Sequence, residues 1–204
     1  ETDHHELLIK QDSIKHIPKI IYQSDEPLAD PTSIPISLLS KYAKKYCTVI
    51  LTGEGADEVF SGYPQYKFMK IHHSLIKNLP KTMKKSIPTL IQKVPKTLLN
   101  KGFKFSSELG EKGIERFPNF INANNLSEQY LNQISIFNEE EQSELLNKKI
   151  NLYKKYGVYF KSPNRNFLTS CQVLDFKEPM VDDLLMKVDK NTMSSSIEGR
   201  VPFL

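Results

Sequence analysis

The stretch "TVILTGEGADEVFSGY", Thr48 to Tyr63, decides the reading of this chain. It opens as part of a continuously apolar, β-branched run, "CTVIL", the composition of a parallel strand covered on both faces. The run breaks at Gly53. Gly53 and Gly55 carry no Cβ, so the backbone can turn sharply there and approach a ligand closely. A helix is expected to start near Asp57 and to end by Gly62–Tyr63–Pro64. Its free N–H groups and partial positive charge suit a phosphate or an adenylate. Glu54, Asp57 and Glu58 would repel such an anion unless a hard cation stands between them, as Mg²⁺ does when it bridges one or two carboxylates to phosphate oxygens. A purely structural reading makes Asp57 a helix cap and Glu58 a complement to the helix dipole. It leaves Glu54, between two glycines, without a role. The chain has neither GxxxxGK[ST] nor GxGxxG, so a P-loop NTPase or a Rossmann dehydrogenase is not indicated.

Outward from this turn the pattern is α/β. "HHELLI" reads as a short strand, with helices expected at 13–22 and 34–46, the latter placing Leu38, Leu39, Tyr42 and Ala43 at helical spacing. "SDEPLADPTSIP" lies between them, and its prolines favour extended backbone. A helix crossing between parallel strands returns right-handed, which gives an α/β layer. From about 71 to 160 the pattern is mostly helical, and Pro80, Pro88 and Pro95 are expected to break it into short pieces. Near the end, "FLTSCQVLDF" reads as helix and "VDDLLMKVDK" as an acidic turn. "NTMSSSIEGRVPFL" reads as an ordered loop carrying Lys190, Glu198 and Arg200 at or near it. Glu198 and Arg200 are expected to pair and shape that loop.

The 204 residues suffice for one ordinary domain, and 39% hydrophobic with 10% aromatic residues argues against disorder. No apolar run approaches a membrane span, and "ETDHHE" does not resemble a signal peptide, so a cytoplasmic protein without a membrane partner is expected. Cys47 and Cys171 lie far apart and read as buried thiols. The net charge of +4 hides a block from Lys77 to Lys104 with eight lysines and no acid. Such a block can bind nucleic acid, but no aromatic interleaving accompanies it, so solvated helix faces are expected and no nucleic-acid partner. His4 and His5 would point to opposite faces of a strand and could not easily share a zinc ion. Asp25, Glu26 and Asp30 invite a metal reading, yet Pro27 and Pro31 make a rigid loop bordering the site the simpler expectation.

"VILTGEGADEVFSGY" closely resembles a signature of glutamine-hydrolysing asparagine synthetases. "DHHE", "DEPLADPTSIP" and "DDLLMKVDKNTMSSSIEGRVPFL" resemble three further segments of that family, in the same order. The resemblance implies an ATP pyrophosphatase fold (adenine nucleotide alpha hydrolase-like), here a partial parallel sheet with a largely helical remainder over 1–204. It implies ATP-dependent amidation of aspartate to asparagine through β-aspartyl-AMP, with ATP and Mg²⁺ as cofactors. Thr52, Gly53 and Gly55 would then contact the nucleotide, Glu54 would support formation of the adenylate, and Asp57 would hold Mg²⁺. Lys190 would steady the departing pyrophosphate; the bland alternative is a surface ion pair with the neighbouring Asp189. Ammonia would come from glutamine through an N-terminal glutaminase domain. That domain and the family's Ser-Gly-Gly-x-Asp-Ser loop are absent from this sequence, so a fragment truncated at both ends, inactive alone, is expected. A homodimer is admitted. Ser61 departs from the family, which more often has glycine there. Three alternatives stay open: an amidotransferase or β-lactam-synthetase-like enzyme adenylating another carboxylate, a nucleic-acid module using the lysine block, and a structural paralogue.

Overall fold

The structure is a computed structural model that describes residues 2–26, 28–93, 118–148 and 150–204. The chain divides into two compact units, one formed by residues 1–60 and 175–204 and the other by 61–174.

In the first unit, helix α1 (Ile17–Ser24) follows a 3₁₀ turn at Gln11–His16. Helix α2 (Ser33–Ala43) starts two residues before Pro35, whose missing N–H is harmless in a first turn. Strand β1 (Val49–Leu51) leads through the glycine turn into the short helix α3 (Ala56–Phe60). The second unit is helical: α4 (Pro64–Ile71), α5 (Lys81–Lys93), α6 (118–122), α7 (Leu126–Ile134), α8 (Glu139–Leu146) and α9 (Leu152–Tyr156). Helix α10 (Phe167–Lys177) carries the chain back, and a π-helical turn at Met180–Leu185 runs into α11 (Met186–Met193). Strand β2 (Glu198–Arg200) closes the first unit.

β1 and β2 pair in parallel, with Val49 opposite Glu198, Ile50 opposite Gly199 and Leu51 opposite Arg200. Bonds from Glu198 N–H to the Thr48 carbonyl and from Thr52 N–H to the Arg200 carbonyl, both 2.9 Å, extend the ladder. α11 packs on α1, α2 and β2, and its Val188, with Ile20, Met180 and Ile197, forms the apolar core of this unit. β2 lies close to α11 because Gly199 has no side chain: a Cβ there would stand 3.1 Å from Val188 Cγ1. The core of the second unit gathers Tyr66, Phe68, Met69, Phe120, Ile121, Tyr130, Leu131, Cys171 and Leu174.

Several expectations need correcting. "HHELLI" forms no strand, because extended chain becomes a strand only when a neighbour takes its hydrogen bonds, and none does among the described residues. "CTVIL" supplies β1, but Val49 and Leu51, which share one face, are 38% and 71% exposed, so that face is uncovered among the described residues. "EGR" is strand rather than loop, and Lys190 stands on a helix. Helix α5 runs through Pro88, with Pro80 just before its first residue. Pro27, Pro95 and the later part of the lysine block lie outside the described residues. Cys47 is half-buried, not buried, and Cys171 is buried; neither forms a disulfide among the described residues.

Candidate active site

The site is built in the first unit, at the carboxyl end of β1. Thr52 is fixed there by its N–H bond to Arg200, and its hydroxyl lies 3.5 Å from the same carbonyl. The turn then closes through Ala56 N–H on the Gly53 carbonyl at 3.3 Å. Gly55 sits at φ +88°, which L side chains rarely adopt, and a Cβ there would fall 2.6 Å from Leu204 Cδ2. Gly53 is different. Nothing lies within 4 Å of the place its Cβ would occupy. One glycine is demanded by the fold, whereas the other faces open space.

Glu54, between them, is half-buried, and burial pushes its carboxyl above the usual range. The charge of Lys187 opposes this, while Glu58, Asp30 and Asp183 add to it. Asp57 stands in the first turn of α3 with its side chain exposed, whereas Glu58 next to it is 2% exposed. α3 is only five residues long, so its N–H groups, rather than a large macrodipole, are what it offers an anion.

Lys190 takes Asp25, not its neighbour Asp189, as its hydrogen-bond partner. Its Nζ donates to Asp25 Oδ2 at 2.7 Å, and that hydrogen bond holds the ammonium above the usual lysine range. Asp25 caps α1 in the left-handed region at φ 61°. One turn back on the same helix, Lys187 donates to Asp30 Oδ2 at 2.6 Å. Burial would raise the Asp30 carboxyl, but Lys187 and both donors of Thr32, at 2.8 Å and 2.7 Å, hold it below the usual range. Asp25 and Asp30 of "SDEPLADP" are thus counter-ions to two lysines of α11. Sequence reasoning missed Lys187. The available signal was the spacing, since Lys187 and Lys190 share a helix face and two loop aspartates lie upstream to meet them.

Glu198 and Arg200 do pair, with Arg200 Nε donating to Glu198 Oε1 at 2.7 Å on one face of β2. His4 contacts Glu6 at 3.2 Å and His5 stacks on Tyr46 with ring centroids 4.4 Å apart, so the two histidines have separate partners. Among the described residues no group of three or more His, Cys, Asp or Glu side chains could hold a metal ion by itself. An exposed Asp57 beside an open Gly53 fits a magnesium ion that takes one carboxylate and completes its shell with phosphate oxygens and water.

The family model for asparagine synthase matches residues 1–204. The chain belongs to the asparagine synthase family. It is 32% identical over 202 residues to asparagine synthetase [glutamine-hydrolyzing] 1 of Bacillus subtilis, covering 97% of this chain and 29% of that protein. A putative asparagine synthetase [glutamine-hydrolyzing] of Mycobacterium bovis is 29% identical over 92% of this chain and 27% of its own length. A second putative synthetase of that description, from Methanocaldococcus jannaschii, is 34% identical over 41% of this chain and 16% of its own length. The chain therefore spans less than a third of these asparagine synthetases. No solved structure matches. Among the described residues no helix is long and apolar enough to cross a membrane.

Proposed function

We propose that the protein carrying this chain makes asparagine from aspartate, and that this region, on an ATP pyrophosphatase-type scaffold, activates the β-carboxylate as an acyl-adenylate. A carboxylate is a poor acylating agent because its leaving group would be oxide, whereas AMP leaves readily. The carboxylate oxygen attacks the α-phosphorus of ATP, the bond to pyrophosphate breaks, and ammonia then attacks the acyl carbon and displaces AMP. The ammonia would come from glutamine at a glutaminase domain elsewhere in the protein, a reading supported by relatives that are named glutamine-hydrolysing synthetases.

The observation that carries this reading is the turn. Gly53 opens onto free space while Glu54 beside it is held partly dehydrated among other acids. A carboxylate whose pKa is raised is the better base, and Glu54 accepts the proton of the attacking nitrogen. Thr52, Gly53 and Gly55 give the nucleotide a backbone it can approach. Asp57 would hold Mg²⁺, which supplies charge neutralisation on the phosphates. Lys190 exchanges exposed Asp25 for a pyrophosphate oxygen, so its charge meets the negative charge that builds up as the bond breaks.

The test is aspartate-dependent ATP–pyrophosphate exchange in the full-length protein. Glu54→Ala is expected to abolish exchange while leaving glutamine hydrolysis largely intact. Survival of both activities would show that Glu54 has another role, and exchange driven better by a different carboxylic acid would move the substrate.

A further inference from the structure

Lys187 has no part in the reaction drawn above, yet its surroundings are those of a working charge. Its side chain is 5% exposed, and lysines are seldom so buried unless paired. The ammonium is 2.6 Å from Asp30 Oδ2, while Asp30 Oδ1 accepts both donors of Thr32, so both carboxylate oxygens are engaged between loop and helix. Lys187 is a cation that acts on Glu54, opposing the anions Glu58, Asp30 and Asp183. Asp183 lies one turn before Lys187, in the π-helical turn Met180–Leu185, a widened geometry that often marks functional sites. Carboxylates from the 25–32 loop, the glycine turn and the π-helical turn thus answer to one buried ammonium. Lys190, on the same face of α11, ties the same loop a second time through Asp25.

We propose that Lys187 is a positioning residue of the adenylation site, the internal counter-cation that holds the Asp30 loop and the Glu54 turn in working register. This rests on the acyl-adenylate reading. Without the ammonium, Asp30 loses its counter-ion and the 25–32 loop its tie to α11, while the negative charge that Asp30 and Asp183 bring to bear on Glu54 goes unopposed by Lys187. A misplacement of about 1 Å can cost about 100-fold in rate.

The experiment uses the full-length protein with Lys187→Met, Lys187→Arg and the double variant Lys187→Met/Asp30→Asn, reading exchange kinetics and melting temperature. Lys187→Met is expected to lower kcat for aspartate-dependent exchange by about 100-fold with little change in KM for ATP, and Lys187→Arg to restore part of it. In the double variant no carboxylate is left unpaired at position 30, so the melting temperature should return toward wild type while exchange stays low. This second variant carries the test even if Lys187→Met folds poorly. Exchange that recovers along with stability in the double variant would mean an ordinary structural ion pair and would overturn the proposal. Absence of exchange in the wild-type protein would instead refute the adenylation reading itself, and this inference with it.

Discussion

The carboxyl of Glu54 titrates above the usual range because burial disfavours its charge, with Lys187 pulling the other way and Glu58, Asp30 and Asp183 reinforcing the shift. An acid raised in the folded state contributes stability below its unfolded pKa of about 4.3, and that contribution is lost as pH rises through the folded value. At neutral pH Glu54 therefore opposes folding. Glu54→Gln is expected to raise the melting temperature at neutral pH and to lose this advantage in acid, while adenylation falls. A lower neutral-pH melting temperature in the variant would contradict the sign. The glycines separate in the same way. Gly55→Ala meets both a positive φ and Leu204, and is expected to cost about 1–3 kcal/mol by denaturant unfolding. Gly53→Ala should stay within about 0.5 kcal/mol of wild type yet weaken nucleotide binding. Glu54 was legible in the sequence because no capping role was open to it. Lys187 was not, since a lysine on a polar helix reads as a solvated one until the loop opposite is placed. Ser61 was legible only as a departure; its φ of 59° puts it in the left-handed region where glycine is at ease.

At the scale of elements, the joint that matters is between α11 and the 25–32 loop. Asp30 is an acid depressed in the folded state, so its stabilisation is present above the unfolded pKa and is lost as pH falls through the folded one. Asp30→Asn leaves the Lys187 ammonium buried without its counter-ion. The expected loss is about 3 kcal/mol at neutral pH, the low end for a broken buried pair because the Asp30 side chain is 19% exposed. The variant should also show a flatter decline of stability in acid; melting curves across pH read both effects. β1 was legible from its β-branched composition. β2 was not, because "EGR" has neither apolar alternation nor β-branching, and its strand character comes from pairing with β1 and from the room Gly199 leaves for Val188. "HHELLI" failed in the opposite direction: good strand composition with no partner among the described residues. Pro88 was read as a breaker, yet α5 continues past it with one donor fewer.

At the scale of the molecule, chain order and space disagree. The segments that carry the site, 25–32, 48–60 and 183–190, lie far apart in sequence and fall in one compact unit, while the helical stretch between them forms another. The motifs gave this away only because all of them resembled one family in one order; no periodicity in the middle hundred residues predicts it. The helical character of that middle was legible, and its core around Tyr130 follows from the apolar and aromatic residues that α4, α6, α7 and α10 bring together. The central claim, that activation passes through a bond between the aspartate carboxylate and the α-phosphorus, has a direct readout in the full-length protein. Aspartate labelled with ¹⁸O in its β-carboxylate is turned over with ATP and ammonia, and the nucleotide and phosphate products are weighed by mass spectrometry. Passage through the acyl-adenylate leaves one labelled oxygen in AMP and none in pyrophosphate; label appearing in orthophosphate alongside ADP, or in neither product, would rule that route out.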